Sequence, residues 1–179
     1  MLSEGDELIM MTPNYLSING IAKSIGAEVS FIALEEDLGW SLDLDKLRNL
    51  VSKRTKLISL CNPNNPTGSI MQTPDMEEVV RIADSVGAYI HSDEIYRGSE
   101  LNEIEITSFY GLYDKCIVNG GLSKAYALPG LRIGYLMGPL GFADQAWAYH
   151  DYTSISTGIV SQYVAQIALQ KDNREKILS

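Results

Sequence analysis

Three short polar segments interrupt the apolar stretches of this 179-residue sequence, and each carries side chains capable of chemistry. The first, residues 62–68, reads Asn-Pro-Asn-Asn-Pro-Thr-Gly. The second has Asp93 three residues before Tyr96, and the third has Lys124 eight residues before Arg132. A deprotonated lysine attacks carbonyl groups, and the planar fork of an arginine binds phosphate. These types together are compatible with covalent chemistry beside an anion-binding group.

Each segment also has a plain structural explanation. An Asn-Pro pair belongs to ordinary turns, adjacent acids at a strand end form a solvated carboxylate pair, and a single lysine is usually a surface charge. A doubled Asn-Pro pair that ends in Thr-Gly is harder to explain as a generic turn. Lys124 stands between an apolar strand and Ala-Tyr-Ala-Leu, which predicts poorly hydrated surroundings for its amine.

The elements that position these segments follow from hydrophobic periodicity. Short apolar runs predict six strands, at residues 7–11, 27–34, 55–61, 87–92, 115–119 and 132–137. Helical spacing between them predicts helices near 16–25, 44–51 and 73–86, the last with Thr73 as N-cap and Pro74 in the first turn. Strands alternating with helices predict an α/β fold with a mostly parallel sheet, whose ligands bind beyond the carboxyl ends of the strands.

The composition excludes several classes of protein. Fourteen basic against 23 acidic residues give a formal charge of −9, which disfavours nucleic acid and anionic membrane surfaces as partners. No apolar run is long enough to span a bilayer, and the first residues lack the pattern of a signal peptide. Two cysteines and two histidines make a disulfide scaffold or a zinc site improbable. We therefore expect a cytoplasmic protein with no metal.

The remaining polar and aromatic candidates have structural explanations. We expect His91 to be packed behind the site rather than to act as a catalytic base, and His150 to lie on a helix surface. Cys61 and Cys116 are predicted to be core residues, and the acidic stretch 100–105 is predicted to be a solvated loop. Four tyrosines are compatible with either core packing or an interface: Tyr126, Tyr149, Tyr152 and Tyr163.

Taken in order and spacing, the three segments resemble the class I/II aminotransferases, the fold type I enzymes that use pyridoxal phosphate (PLP). The resemblance covers nearly the whole sequence, from Gly-Asp-Glu at 5–7 and Pro-Asn-Tyr at 13–15 to about Pro139. It implies the large domain of a PLP-dependent transferase, a three-layer α/β/α sandwich around a mostly parallel sheet.

The resemblance also assigns catalytic roles. Lys124 matches the lysine that forms the Schiff base with the cofactor and later moves the proton. Asp93 matches the acid that pairs with the pyridinium nitrogen and keeps it protonated. Asn65 and Tyr96 match the donors to the 3′-oxygen of the ring.

Three further residues match positions that hold the cofactor. Tyr15 corresponds to the aromatic side chain that stacks on the ring, and Ser123 and Arg132 correspond to phosphate ligands. One position departs from the family, because many relatives carry Ser or Thr where this sequence has Gly121. Phosphate binding would then depend more on Ser123, Arg132 and backbone amides.

The resemblance further implies a division of the chain. Residues 1–140 correspond to the PLP-binding large domain, incomplete at its N-terminus, and 141–179 to a helical segment that leads toward a small domain. We expect a fragment of a homodimeric enzyme, with an open sheet edge at the predicted strand 132–137, which matches the family's antiparallel strand. On its own the fragment is expected to self-associate, to bind PLP weakly and to be inactive.

The function implied is amino-group transfer from an amino acid to a 2-keto acid. Two alternatives keep similar residues. A PLP-dependent carbon–sulfur β-lyase would use the same lysine and aspartate, and would release pyruvate and ammonia from one substrate. An aminotransferase-like domain of a transcription regulator would require a DNA-binding head, and this acidic sequence contains none.

Overall fold

The computed structural model describes residues 1–101 and 106–178. Its six strands are β1 (Glu7–Thr12), β2 (Glu28–Ala33), β3 (Thr55–Cys61), β4 (Tyr89–Asp93), β5 (Cys116–Gly121) and β6 (Gly134–Met137). Its six α-helices are α1 (Ser17–Ser24), α2 (Leu44–Leu50), α3 (Thr73–Val86), α4 (Phe142–His150), α5 (Ile159–Ala168) and α6 (Lys171–Leu178). Every strand and helix predicted from periodicity is therefore present.

The strands form one sheet in the order β2-β1-β3-β4-β5-β6. The first five run parallel, and β6 pairs antiparallel with β5, as predicted. β6 is an edge strand of the described sheet. Helices cover both faces, so the expected three-layer α/β/α sandwich is confirmed.

Alternating side chains divide the sheet between two apolar clusters. Ile9 and Ile58 point to the face covered by α2 and α3, where Leu47 and Met76 belong to the main core. Their neighbours Leu8 and Leu57 point to the opposite face, where they pack with Ala22 of α1. Because successive residues of β1 and β3 pack into different clusters, a one-residue slip would move every side chain to the other face of the sheet. The register is therefore fixed, and the last residue of each of these strands has a defined position at the sheet edge.

The largest helix, α3, begins one residue away from the predicted position. Gln72 precedes the helix as its N-cap, and Thr73 is its first residue. The Thr73 hydroxyl is 3.0 Å from Oγ1 of Thr107 and makes no capping bond, so the prediction of Thr73 as N-cap is wrong. The helix ends at Val86 and is capped by Gly87, whose φ of 74° is a left-handed conformation that glycine adopts without steric cost.

The structure also bears on the sequence predictions for the cysteines, the tyrosines and the acidic loop. Cys61 and Cys116 are buried, as predicted. Tyr149, Tyr152 and Tyr163 are exposed, so none of the three belongs to the core that the described residues form. Of the predicted loop 100–105, residues 102–105 lie outside the described residues.

Candidate active site

Six of the seven predicted site residues lie just beyond the carboxyl ends of parallel strands, or at such an end. Tyr15 follows β1, Asn65 follows β3, Asp93 ends β4 with Tyr96 shortly after it, and Ser123 and Lys124 follow β5. These four strands are consecutive neighbours in the sheet, so their ends share one edge. The structure therefore gathers these residues at the edge where ligands of α/β sheets bind.

Antiparallel pairing brings the seventh predicted residue, Arg132, to the same edge. Gly134 of β6 lies opposite Gly121 at the end of β5, and the Leu122 amide donates to the Ile133 carbonyl at 3.2 Å. Arg132, directly before Ile133, thus lies beside the segment that carries Ser123 and Lys124. Arg132 is exposed, and its Nη1 donates to the Pro129 carbonyl at 3.1 Å.

Asp93 is held through one oxygen only. Its Oδ1 accepts hydrogen bonds from Nδ2 of Asn119 at 2.8 Å and from the backbone amide of Ile95 at 3.1 Å. No described residue donates a hydrogen bond to Oδ2. The half-buried carboxylate is therefore fixed in orientation while one oxygen stays open to a ligand.

Lys124 and Tyr96 come together across adjacent strand ends. The Lys124 Nζ lies 5.8 Å from the centre of the Tyr96 ring, within the range of a cation–π interaction. Lys124 follows the buried Leu122 and opens a turn in which its carbonyl accepts from the Ala127 amide at 2.8 Å. Because this turn extends past the last buried position of the strand, the lysine is exposed, and the prediction of poorly hydrated surroundings is wrong for this chain.

The Asn-Pro segment after β3 is built around two buried amides. Asn64 accepts from both the amide and the hydroxyl of Thr67, and its Nδ2 donates to the Pro13 carbonyl at 3.3 Å. Asn62 accepts from the Met71 amide at 3.0 Å. Asn65, the residue predicted to contact cofactor, is only half-buried. The buried asparagines thus shape the loop and leave Asn65 accessible.

Tyr15 is the most exposed aromatic residue of the site. Its side chain is 66% accessible, and its amide donates to Oδ1 of Asn14 at 2.7 Å. The bond from Asn64 to Pro13 ties the segment before Tyr15 to the loop that carries Asn65. Tyr15 and Asn65, two of the side chains predicted to contact a cofactor ring, are therefore carried by loops that are joined directly.

Close packing surrounds Gly121, the position at which the resemblance led us to expect Ser or Thr. A Cβ atom at this position would lie 2.9 Å from the Ile133 carbonyl oxygen and 3.1 Å from Cδ1 of Ile95. Real Cβ atoms almost never approach backbone oxygen so closely. The neighbouring strand therefore occupies the space that a serine or threonine would need.

His91, Ser59 and Asn119 connect to Asp93 from within the sheet. His91 is 8% exposed, with Nδ1 at 2.9 Å from Ser59 Oγ and Nε2 at 2.7 Å from Asn119 Oδ1. His91 was expected to be packed behind the site, and this is confirmed. Ser59 and Asn119 were not predicted as site residues. The available signal was a polar residue on the same face of each of three adjacent apolar strands.

Burial controls the ionisation of nearby groups. Desolvation lowers the pKa of His91, against the opposing effects of Asn119 and Asp93. Desolvation also raises the pKa of the Cys61 thiol to about 12, and the Asp93 carboxylate adds to that rise. The imidazole and the thiol are therefore both neutral near pH 7.

An apolar groove opens beside these residues. Its volume is about 1080 Å³, and its walls come from β6, α4 and α5, with Asn119 among its lining residues.

Within residues 1–101 and 106–178, no three His, Cys, Asp or Glu side chains are grouped to hold a metal ion. Every helix in those residues is too short or too polar to cross a bilayer.

The geometry defines an α/β protein with a lysine, a tyrosine and a singly held aspartate at the carboxyl edge of its sheet. Comparison with known proteins identifies this class. The profile of the family described as aminotransferase class I and II matches residues 1–177. The chain therefore belongs to the class I and II aminotransferase family.

Individual relatives agree with this assignment. The chain is 33% identical over 135 residues to a histidinol-phosphate aminotransferase of Methanococcus maripaludis, which covers 75% of this chain and 36% of the relative. It is 26% identical over 178 residues to an aspartate aminotransferase of Pyrococcus abyssi, and the match covers 98% of this chain and 46% of that relative.

Solved structures show the same fold. A PLP-dependent aminotransferase from Streptococcus suis superposes with a TM-score of 0.93 at 43% identity, over 99% of this chain and 46% of that one. A mutant of Thermus thermophilus aspartate aminotransferase superposes with a TM-score of 0.94 at 27% identity, over 99% of this chain and 47% of that one. The chain thus spans less than half the length of these relatives.

Proposed function

We propose that residues 1–179 supply most of the cofactor-binding large domain of a PLP-dependent aminotransferase. The reaction proposed is transfer of the amino group of an amino acid to a 2-keto acid. The observation that carries the proposal is the state of Asp93, with Oδ1 bonded twice by the protein and no described donor at Oδ2. A carboxylate fixed in this way, at the same sheet edge as a free lysine amine, is suited to a cationic ring nitrogen.

The side chains at this edge have the chemistry that PLP requires. A carboxylate for the ring nitrogen (Asp93) and an amine for the aldehyde (Lys124) lie beyond adjacent strands. A hydroxyl and a guanidinium for the phosphate (Ser123 and Arg132) flank that amine in sequence. Tyr15, exposed beyond β1, is available to stack on a ring. The donor set therefore fits this cofactor. When bound, PLP supplies an aldehyde that captures amines covalently and a ring that accepts electrons released at Cα.

Lys124 would attach the cofactor and move the proton. Its exposed Nζ is free to reach a carbonyl carbon, and after release by the incoming amine it would carry the Cα proton. Tyr96, whose ring lies 5.8 Å from Nζ, would donate through its hydroxyl to the ring oxygen together with Asn65. Asp93 would hold the ring nitrogen protonated, which strengthens the withdrawal of electrons from Cα.

The partners proposed are a small amino acid, a 2-keto acid and a second copy of the chain. Names of relatives point to histidinol phosphate or aspartate as the amino donor, and those substrates belong to the relatives concerned. We also propose a cytoplasmic location. Residues 1–179 alone are expected to lack turnover, because the chain spans under half of each relative whose activity is named.

The test uses the intact protein that contains this chain. With PLP added, it should show visible absorbance that Lys124→Ala abolishes, and borohydride reduction followed by peptide mapping should place the adduct on Lys124. An adduct mainly on Lys115 or Lys56 would refute the assignment. Turnover should require a keto-acid acceptor. Release of pyruvate and ammonia from a single amino acid would instead identify a β-lyase.

A further inference from the structure

A series of hydrogen bonds, which we call the relay, runs behind Asp93 through Ser59, His91 and Asn119 on three neighbouring strands. Ser59 on β3 lies opposite His91 on β4, and Asp93 on β4 lies opposite Asn119 on β5. The three links are Ser59 Oγ to His91 Nδ1 at 2.9 Å, His91 Nε2 to Asn119 Oδ1 at 2.7 Å, and Asn119 Nδ2 to Asp93 Oδ1 at 2.8 Å. All four side chains point to one face of the sheet, because their positions alternate in step with the register.

The chemistry of the last link sets the direction of the others. An ionised carboxylate only accepts hydrogen bonds, so the amide nitrogen of Asn119 must face Asp93 and its carbonyl oxygen must face His91. A carbonyl oxygen also only accepts, so His91 must carry a proton on Nε2. The neutral imidazole then has a lone pair on Nδ1, and the Ser59 hydroxyl donates to it. Each member is thus assigned one orientation.

We propose that Ser59, His91 and Asn119 act as positioning residues that fix the Asp93 carboxylate through one oxygen and present the other to the cofactor. This inference rests on the proposed function for the identity of that cofactor. None of the three residues touches the reacting atoms. Their effect passes through Asn119, whose side chain donates the hydrogen bond to Asp93.

Burial explains why the relay holds one arrangement. Ser59 is 1% exposed and His91 8%, so water cannot readily replace a missing partner. Desolvation lowers the pKa of His91, which keeps the imidazole neutral and preserves its acceptor for Ser59. A protonated ring would have donors on both nitrogens, and the Ser59 hydroxyl would have to turn.

The first test needs no cofactor. The chain has two histidines, so nitrogen NMR of the histidine-labelled 179-residue chain, with His150→Gln to assign the signals, reports the tautomer of His91 directly. We expect neutral imidazole with the proton on Nε2 at pH 7. A proton on Nδ1, or an imidazolium, would overturn the relay.

The second test compares matched variants of the intact PLP-loaded protein. His91→Leu removes both ring nitrogens, whereas His91→Gln keeps a donor and an acceptor on one side chain. We expect kcat to fall about tenfold in His91→Leu with KM for the amino donor little changed, and to recover to within about threefold in His91→Gln. Equal losses in both variants would show a merely structural role.

Asn119→Leu changes a residue that is half-buried, whereas Ser59 and His91 are deeply buried. It removes the donor to Asp93 and should shift the pH dependence of the bound cofactor's absorbance as well as lower kcat. Unchanged absorbance and kcat in Asn119→Leu would refute the relay. A wild-type protein that takes up no PLP would refute the proposed function instead, and the tautomer of His91 would then decide the relay by itself.

Discussion

Glu94 accepts a hydrogen bond at Oε1 from the backbone amide of Phe109, at 2.9 Å, although it directly follows the site aspartate. The same oxygen accepts from the hydroxyls of Ser108 at 3.0 Å and Ser92 at 3.1 Å. Glu94 is 3% exposed. The two adjacent acids therefore have separate tasks, since Asp93 faces the site and Glu94 ties a later loop to the end of β4.

Replacing Glu94 should destabilise the fold more than a typical substitution. Glu94→Ala leaves the buried Phe109 amide without an acceptor, and we expect a loss of about 2–4 kcal/mol in the free energy of unfolding. Glu94→Gln retains an acceptor oxygen and should lose less. Urea titration measures both, with Glu77→Ala on the exposed side of α3 as a control that should change by no more than about 0.5 kcal/mol. Equal stability of Glu94→Ala and the control would contradict the role of Glu94.

Asp93→Asn should separate cofactor binding from turnover. An amide keeps the shape of the side chain but cannot hold a ring nitrogen protonated, so we expect bound PLP with kcat reduced at least about a hundredfold. Cofactor absorbance and steady-state kinetics on the intact protein provide the measurement. Asp114→Asn, before the amino end of β5, is the matched control. Near-normal turnover in Asp93→Asn would remove Asp93 from the mechanism.

The buried histidine should make stability fall as the solution is acidified. The pKa of His91 is lowered from 6.5 in the folded state. As the pH falls below 6.5, the unfolded chain therefore binds a proton at His91 before the folded chain does. The free energy of unfolding is then highest above pH 6.5 and falls by up to about 1.4 kcal/mol per pH unit below it.

Urea titrations between pH 7 and pH 5.5 test this slope. His91→Gln should flatten it, while His150→Gln, which alters a helix-surface histidine, should leave it unchanged. An identical slope in His91→Gln and wild type would assign the pH dependence to other groups.

A serine at position 121 should destabilise this chain, although the family resemblance led us to expect Ser or Thr there. The added Cβ meets the Ile133 carbonyl at 2.9 Å, and we expect Gly121→Ser to lose about 1–3 kcal/mol of stability. Gly130→Ser is the matched control, because nothing lies within 4 Å of a Cβ at that position. Denaturant midpoints compare the two variants. A stable Gly121→Ser variant with tighter PLP binding would show that the strand yields at no cost.

The 179-residue chain is expected to self-associate through its edge strand and exposed helices. Tyr135 and Leu136 of β6 are 43% and 56% exposed, beside backbone groups available for strand pairing. Light scattering should show a species larger than a monomer, and Leu136→Lys should shift it toward monomer. Leu101→Lys alters an exposed apolar residue outside the strands and helices and serves as control. A monomeric wild-type chain would contradict the expectation.

Most of the fold was predictable because its strands are short apolar runs bounded by turn residues. The end of the fold near β6 was less so. The apolar pattern starts at 132, yet β6 begins at Gly134, because Arg132 adopts a φ of 53° after a short 3-10 helix at Pro129–Leu131. Local backbone geometry of this kind leaves no trace in hydrophobic periodicity.

The sequence predicts which residues meet at the carboxyl edge of the sheet, but it predicts less of what surrounds them. The order and spacing that resemble the family single out Lys124 and Asp93 as candidates. The bond between Asn119 and Asp93 depends instead on the register of β4 against β5, which no local pattern reports. The exposure of Lys124 could not be predicted from the sequence either, because it depends on the direction in which the segment after β5 leaves the sheet.

The hydrogen bond from Asn64 to the Pro13 carbonyl has a consequence for engineering this protein. It couples the backbone before Tyr15 to the loop that presents Asn65, so the two positions are not independent design variables. Substitutions at Tyr15 that shift the backbone at Pro13 will also shift the loop that carries Asn65, and beneficial pairs will be missed by testing single changes. Combinatorial mutagenesis of both loops, with Asn64 held constant, is therefore the appropriate strategy.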